Sequence, residues 1–69
     1  MQIRSYSKKE LAVAYAPDLS YSGARKRLHY WLHLNEPLMA ELRAAQYHDS
    51  QRLLTARQVE IIFRHLGEP

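Results

Sequence analysis

Cysteine is absent from the 69 residues, so neither a disulfide nor a thiolate zinc site can staple the fold, and stability has to come from packing or from association with another chain. Glycine occurs twice and never in a phosphate-cradling run, which removes the glycine-rich loops of nucleotide-binding proteins. No stretch approaches the roughly 20 apolar residues of a membrane span, and the opening MQIRSYSKKE lacks the apolar core of a signal peptide. A cytoplasmic protein with no membrane association is therefore expected. Repeats, linkers and low-complexity tracts are also missing. A chain this short fills one core, so a single domain over residues 1–69 is expected, with little room for a large ligand cavity.

Clustered carboxylates are lacking too. Glu36, Glu41, Asp49, Glu60 and Glu68 are scattered at helix starts and on polar faces, where capping or solubility explains them. With no cysteine nucleophile either, the expectation is a protein that is not an enzyme, with no cofactor and no small-molecule substrate.

What the chain does have is a local excess of positive charge. The net +3 divides unevenly: residues 1–18 set Arg4, Lys8 and Lys9 against Glu10 and Asp18, whereas residues 19–35 carry Arg25, Lys26 and Arg27 with no acid at all. The remainder sets Arg43, Arg52, Arg57 and Arg64 against five carboxylates. Concentrated charge of this kind attracts phosphate more strongly than the same charge spread evenly.

The excess falls on SYSGARKRLHYWLHLN, Ser20 to Asn35, which reads as a capped amphipathic helix. Ala24, Leu28, Trp31 and Leu32 recur at the spacing of one buried stripe, with Trp31 expected as the central core residue between this helix and the C-terminal one. Ser22, Lys26, His29 and His33 fall on the opposite face, flanked by Arg25 and Arg27. Gly23 either weakens the helix or admits close approach of a backbone or a phosphate.

Ahead of it, Ser7-Lys8-Lys9-Glu10 is a capping box that starts a helix at Lys8. That helix buries Leu11, Ala12 and Tyr15 and stops before Pro17, which disfavours helical geometry in the preceding residue. Leu19 is expected to fold inward in the turn. After it, Asn35 or Glu36 caps a third helix running from Pro37 to about Gln46, with Leu38, Leu42 and Ala45 inward and Met39 beside them. Tyr47 to Gln51 reads as a turn, and Arg52 to Leu54 as a short strand that pairs with the extended segment Gln2 to Tyr6. Thr55-Ala56-Arg57-Gln58 is a second capping box, opening a helix with Val59, Ile62, Phe63 and Leu66 inward and Gly67 as its stop.

A short helix carrying a small residue, Ala12, then a turn, then a basic amphipathic helix is the pattern of a helix-turn-helix that lays its second helix in the major groove. In that reading Arg25, Lys26 and Arg27 anchor phosphates or reach guanine edges, while Ser22, His29 and His33 bond to bases or backbone. Lys8 and Lys9 are candidate backbone clamps, and Tyr21 and Tyr30 candidates for stacking. His29 and His33 stand four apart, as metal-binding histidines on a helix do, but the peptidase pattern needs a glutamate where Tyr30 stands. No third ligand is evident, since His48 and His65 lie on separate elements, so no metal site is expected.

The run YSKKELAVAYAPDLS followed by ARKRLHYWL, and the later RLLTARQVEIIFRHLGEP, resemble a family of short uncharacterised proteins from Bacteroidetes and their mobile elements, a domain of unknown function. This resemblance spans nearly the whole chain and implies kinship without an activity. A second similarity is to the winged helix-turn-helix of MerR-like regulators and phage excisionases, carried by the order and type of Tyr6 to Leu11, Ser20 to Leu32 and Tyr47 to Val59. Here the turn is longer, Pro37 to Gln46 is an added helix, and the hairpin that forms the wing is reduced to a fragment.

Together these readings predict a mainly α domain of four helices with a helix-turn-helix-like core and one short two-stranded β pairing. Its expected role is non-catalytic binding of duplex DNA, as a regulator or accessory factor of a mobile element. The alternative is a protein–protein interaction module or small homodimer, with Tyr30, Leu34, Leu38 and Met39 as the contact between chains.

Overall fold

In the computed structural model, which describes residues 1–69, the elements follow the order β1 (Tyr6–Ser7), α1 (Lys8–Tyr15), α2 (Tyr21–Leu34), α3 (Glu36–Ala44), β2 (Leu53–Leu54) and α4 (Ala56–Leu66). The mainly α, four-helix architecture with one small antiparallel pairing is the expected one. Side-chain caps set most of the boundaries. Ser7 Oγ accepts from the Glu10 N–H while Glu10 returns a bond to the Ser7 N–H, and Thr55 and Gln58 repeat the arrangement at α4. Ser20 caps α2, and Asn35 serves both as the end of α2 and as the cap of α3, accepting from the Leu38 N–H at 3.1 Å. Gly67 ends α4 at φ 82°, a left-handed conformation that glycine adopts without a Cβ penalty.

The two strands pair with Tyr6 opposite Leu54 and Ser7 opposite Leu53. The ladder runs straight into α1, because the Lys8 N–H donates to the Arg52 carbonyl at 2.8 Å. β2 therefore pairs with the N-terminal segment, and the Ser7 cap of α1 is itself a strand residue.

One buried cluster runs through all four helices and both strands. It takes Leu11 and Ala12 from α1, Ala24, Leu28 and Leu32 from α2, Leu38, Met39 and Leu42 from α3, and Val59, Ile61, Ile62 and Phe63 from α4. Burial on α4 is wider than a single apolar stripe requires, since Ile61 and Gln58 are enclosed as well.

Three expectations are corrected. Trp31 is only half-buried: it lies at the edge of the α1–α2 packing, with the Tyr15 ring set edge-on at a centroid distance of 6.0 Å, and opens onto a surface depression that it shares with Leu66 and Pro69. Leu38 and Met39 are buried inside the chain and are not available for contact with a second one.

The third concerns Tyr47, placed at the start of the expected turn, which is a core residue, 4% exposed. Its N–H donates to the Leu42 carbonyl at 2.9 Å and the Gln46 N–H donates to the Arg43 carbonyl, also at 2.9 Å. This pair of bonds is a Schellman motif, which needs a left-handed residue just past the helix and folds the next side chain back onto it. Gln46 supplies that conformation at φ 65°. Burial pushes the Tyr47 hydroxyl up to about 12, with the Asp49 charge acting in the same direction.

Candidate nucleic-acid interface

The outer face of α2 is held by its inner one. Burial of Ala24, Leu28 and Leu32 fixes the rotation of the helix, and on a 3.6-residue period this turns Ser22, Arg25, Lys26, His29 and His33 outward, where all five are exposed. Arg27 and Tyr30 are exposed as well. At 14 residues the helix is about 21 Å long, and a helix is the element that the major groove admits.

Beside this face lies a cleft of about 850 Å³, formed where α2 meets the start of α1 and the segment before β2. Five cationic side chains line it, Lys8, Lys9, Arg25, Lys26 and Arg52, against one carboxylate, Asp49. Tyr21, His29 and Tyr47 also stand in the wall. The two lysines of α1 are guided into position by aromatic rings: Lys8 Nζ sits 4.7 Å from the centroid of Tyr47, and Lys9 Nζ lies 5.1 Å from that of Tyr21. Lys8 also donates to the Asp49 backbone carbonyl at 2.6 Å. Partial burial lowers the Lys8 pKa; the Asp49 charge opposes this, and the like charge of Arg25 adds to it. A cation held next to another cation in a partly desolvated cleft is stabilised by an incoming anion.

Of the residues expected to contact nucleic acid, Lys8, Lys9, Arg25, Lys26 and His29 are brought together around the cleft. His33 joins through Asp49, its Nε2–H donating to Asp49 Oδ1 at 3.0 Å. Ser22 and Arg27 remain exposed on α2 outside the cleft lining. Sequence reasoning missed Tyr47, Asp49 and Arg52, which reach the cleft from the segment between α3 and β2. Only the basic Arg52 next to a polar run hinted at them.

Packing brings a carboxylate, Asp49, beside the histidine pair. The rings of His29 and His33 are 4.3 Å apart at their centroids, and one donor atom from each, together with a carboxylate oxygen of Asp49, lie within 4.8 Å of one another. Desolvation acts to raise the Asp49 carboxyl, but the hydrogen bond from His33 and the charges of His33, His29 and Lys8 outweigh it and hold the group below the ordinary aspartate value.

Elsewhere, Glu41 accepts from Arg64 at 3.1 Å and pairs with His65, tying α3 to α4. No helix is long and apolar enough to cross a membrane.

Over residues 2–69 the chain matches the family described as a domain of unknown function (DUF4248), and it belongs to that family. No curated protein and no solved structure matches it.

Proposed function

We propose that the protein binds duplex DNA without catalysis, laying α2 in the major groove with the adjoining cleft against the phosphate backbone. The observation that carries this reading is the cleft itself, lined by Lys8, Lys9, Arg25, Lys26 and Arg52 against a single carboxylate beside a long exposed helix. In this reading Arg25 and Lys26 face both base edges and phosphate, His29 and His33 reach polar atoms along the groove, and Lys8, Lys9 and Arg52 hold the backbone. Ser22 and Arg27 extend the contact along α2. The strand, short helix, turn and basic helix share their order with the helix-turn-helix of MerR-like regulators and excisionases, which suits a regulator or accessory factor of a mobile element. β2 pairs with the N-terminal strand, so no hairpin wing accompanies α2.

Fluorescence anisotropy with a labelled duplex tests the reading. If all five cleft cations neutralise phosphates, log K falls against log salt with a slope of about −4.5. Replacing Arg25 and Lys26 together by alanine reduces the magnitude of that slope by about 1.8, each lost phosphate contact removing about 0.9. No salt-sensitive binding at low ionic strength refutes it.

A second reading draws on a different surface. Tyr30 and Leu34 are 61% and 65% exposed, and Leu34 borders the depression lined by Tyr15, Trp31 and Leu66. This apolar ground suits an interface with a second copy or another protein. It predicts a dimer in light scattering that Leu34→Asp dissociates; a monomer at high concentration refutes the homodimer.

A further inference from the structure

We infer that His29, His33 and Asp49 form a binding site for a zinc-class divalent cation that bridges α2 to the turn after α3. This goes beyond DNA binding and does not depend on it.

Two imidazoles four residues apart project from one helical face, and here the rings lie 4.3 Å apart at 41° to each other. A helical histidine pair alone is a weak chelate. What makes a site is Asp49, which arrives from a different part of the chain with its Oδ1 3.0 Å from His33 Nε2. All three donor atoms fall within 4.8 Å of one another. Around a tetrahedral zinc ion, bonds of about 2.0–2.2 Å place ligand atoms about 3.3 Å apart. The widest spacing is therefore at most about 1.5 Å too long for one zinc ion, and closing it requires the exposed side chains to rotate.

The Asp49 backbone is anchored independently of the histidines. Lys8 Nζ holds its backbone carbonyl at 2.6 Å, leaving both carboxylate oxygens free of the lysine. On metal binding, the hydrogen bond from His33 to Asp49 is replaced by two bonds to one ion. The His33 proton at Nε2 is displaced, either to solvent or to Nδ1 of the same ring. Two imidazoles and one carboxylate suit zinc and its neighbours in the transition series better than magnesium or calcium, which prefer all-oxygen shells. Three protein ligands leave a tetrahedral ion one open position, for water or for an anion. His29 and Asp49 both line the cationic cleft, so Lys8, Arg25 and Lys26 favour an anion there.

The test is isothermal titration calorimetry of Zn²⁺ into the full chain carrying no purification tag. One ion is expected to bind per chain. His29→Ala, His33→Ala and Asp49→Asn are each expected to weaken binding by at least about tenfold, since loss of even an outer-shell partner costs metal sites 10–100-fold. His48→Ala and His65→Ala should bind as the wild type does. The three ligands are exposed, so circular dichroism of each variant should match the parent. In a parallel melt, a fixed Zn²⁺ concentration should raise the melting temperature of the wild type by more than that of Asp49→Asn, since ligand stabilisation grows with affinity. Absence of saturable binding overturns the inference. So does undiminished affinity in Asp49→Asn, which reduces the site to a histidine pair, or loss of binding in His48→Ala.

Discussion

Replacing Gln58 by methionine tests how the cleft is held in place. Gln58 is 2% exposed, and its amide is a junction between three segments. Its Oε1 accepts from the Thr55 N–H at 3.0 Å and from Gln51 Nε2 at 2.6 Å, while its Nε2 donates to the Ala45 carbonyl at 3.0 Å. Methionine keeps the length and removes every one of these bonds. The Thr55 N–H lies near the surface and recovers water, so its loss is about 1 kcal/mol. The Ala45 carbonyl loses its Gln58 partner while half-enclosed, at a cost of about 1–3 kcal/mol, whereas the Gln51 amide keeps its bond to the Leu53 carbonyl and loses one N–H partner, at the lower end of that range.

The greater apolarity of methionine returns part of this, leaving a net destabilisation of about 2–3 kcal/mol. For a domain of this size that lowers the melting temperature by roughly 10–20 °C. Thr55→Ala, which removes only the cap hydroxyl, should cost about 1 kcal/mol. Gln51 also carries the turn before β2, accepting from the His48 N–H at 3.0 Å. Hydrogen exchange at His48 should therefore speed up in Gln58→Met ahead of exchange in α1. Thermal denaturation followed by circular dichroism reads the first effect. A Gln58→Met protein that melts within about 3 °C of the wild type, or no lower than Thr55→Ala, refutes the argument that this amide joins α3, the turn and α4.

The other outcomes are read by similar means. Gln46→Gly should stabilise by about 0.5–1 kcal/mol in urea denaturation, since the left-handed φ of 65° suits glycine better than glutamine. Gly23→Ala should stabilise by a similar margin, about 0.5–1 kcal/mol, because an added Cβ would meet nothing nearer than 3.5 Å; weakened DNA binding by this variant would instead identify Gly23 as a point of close phosphate approach. Leu28→Ala should cost about 2–5 kcal/mol, whereas Lys26→Ala should stay within about 0.5 kcal/mol, reporting the two faces of α2. The bonds from His65 and then Arg64 depress the Glu41 carboxyl, so folding is favoured above the ordinary glutamate range, and this contribution disappears as pH falls through the lower folded-state value. Melting temperatures between pH 3 and 6 should accordingly fall more steeply in the wild type than in Glu41→Gln, and parallel curves would refute the linkage.

The sequence alone determined the features whose partners lie within one helical turn. Ser7, Ser20, Asn35 and Thr55 cap helices through bonds to residues three positions on, and Gly67 stops the last one, so those boundaries follow from local chemistry. The inner stripe of α2 was equally legible, because Ala24, Leu28 and Leu32 repeat at the helical period. Once that stripe is buried, the basic outer face follows.

Only the tertiary structure decided what depends on burial in the common core. Gln46 is no helix-stopping residue by type; the Schellman bonds that hold its left-handed φ are local, but burial of Tyr47 in the core is what outweighs the cost of that conformation. Gln58 reads as half of a capping box, yet its other bonds reach Ala45 and Gln51. Trp31 has the spacing of a core residue but lies at the edge of the helix packing, edge-on to Tyr15 and open to a depression it shares with Leu66 and Pro69. Asp49 reads as an isolated turn carboxylate, and packing sets it against His33, His29 and Lys8. The physical reason is common to all four. A local hydrogen bond or a helical repeat is encoded by neighbouring residues, whereas burial and contacts between separate segments exist only after the chain has collapsed onto one core.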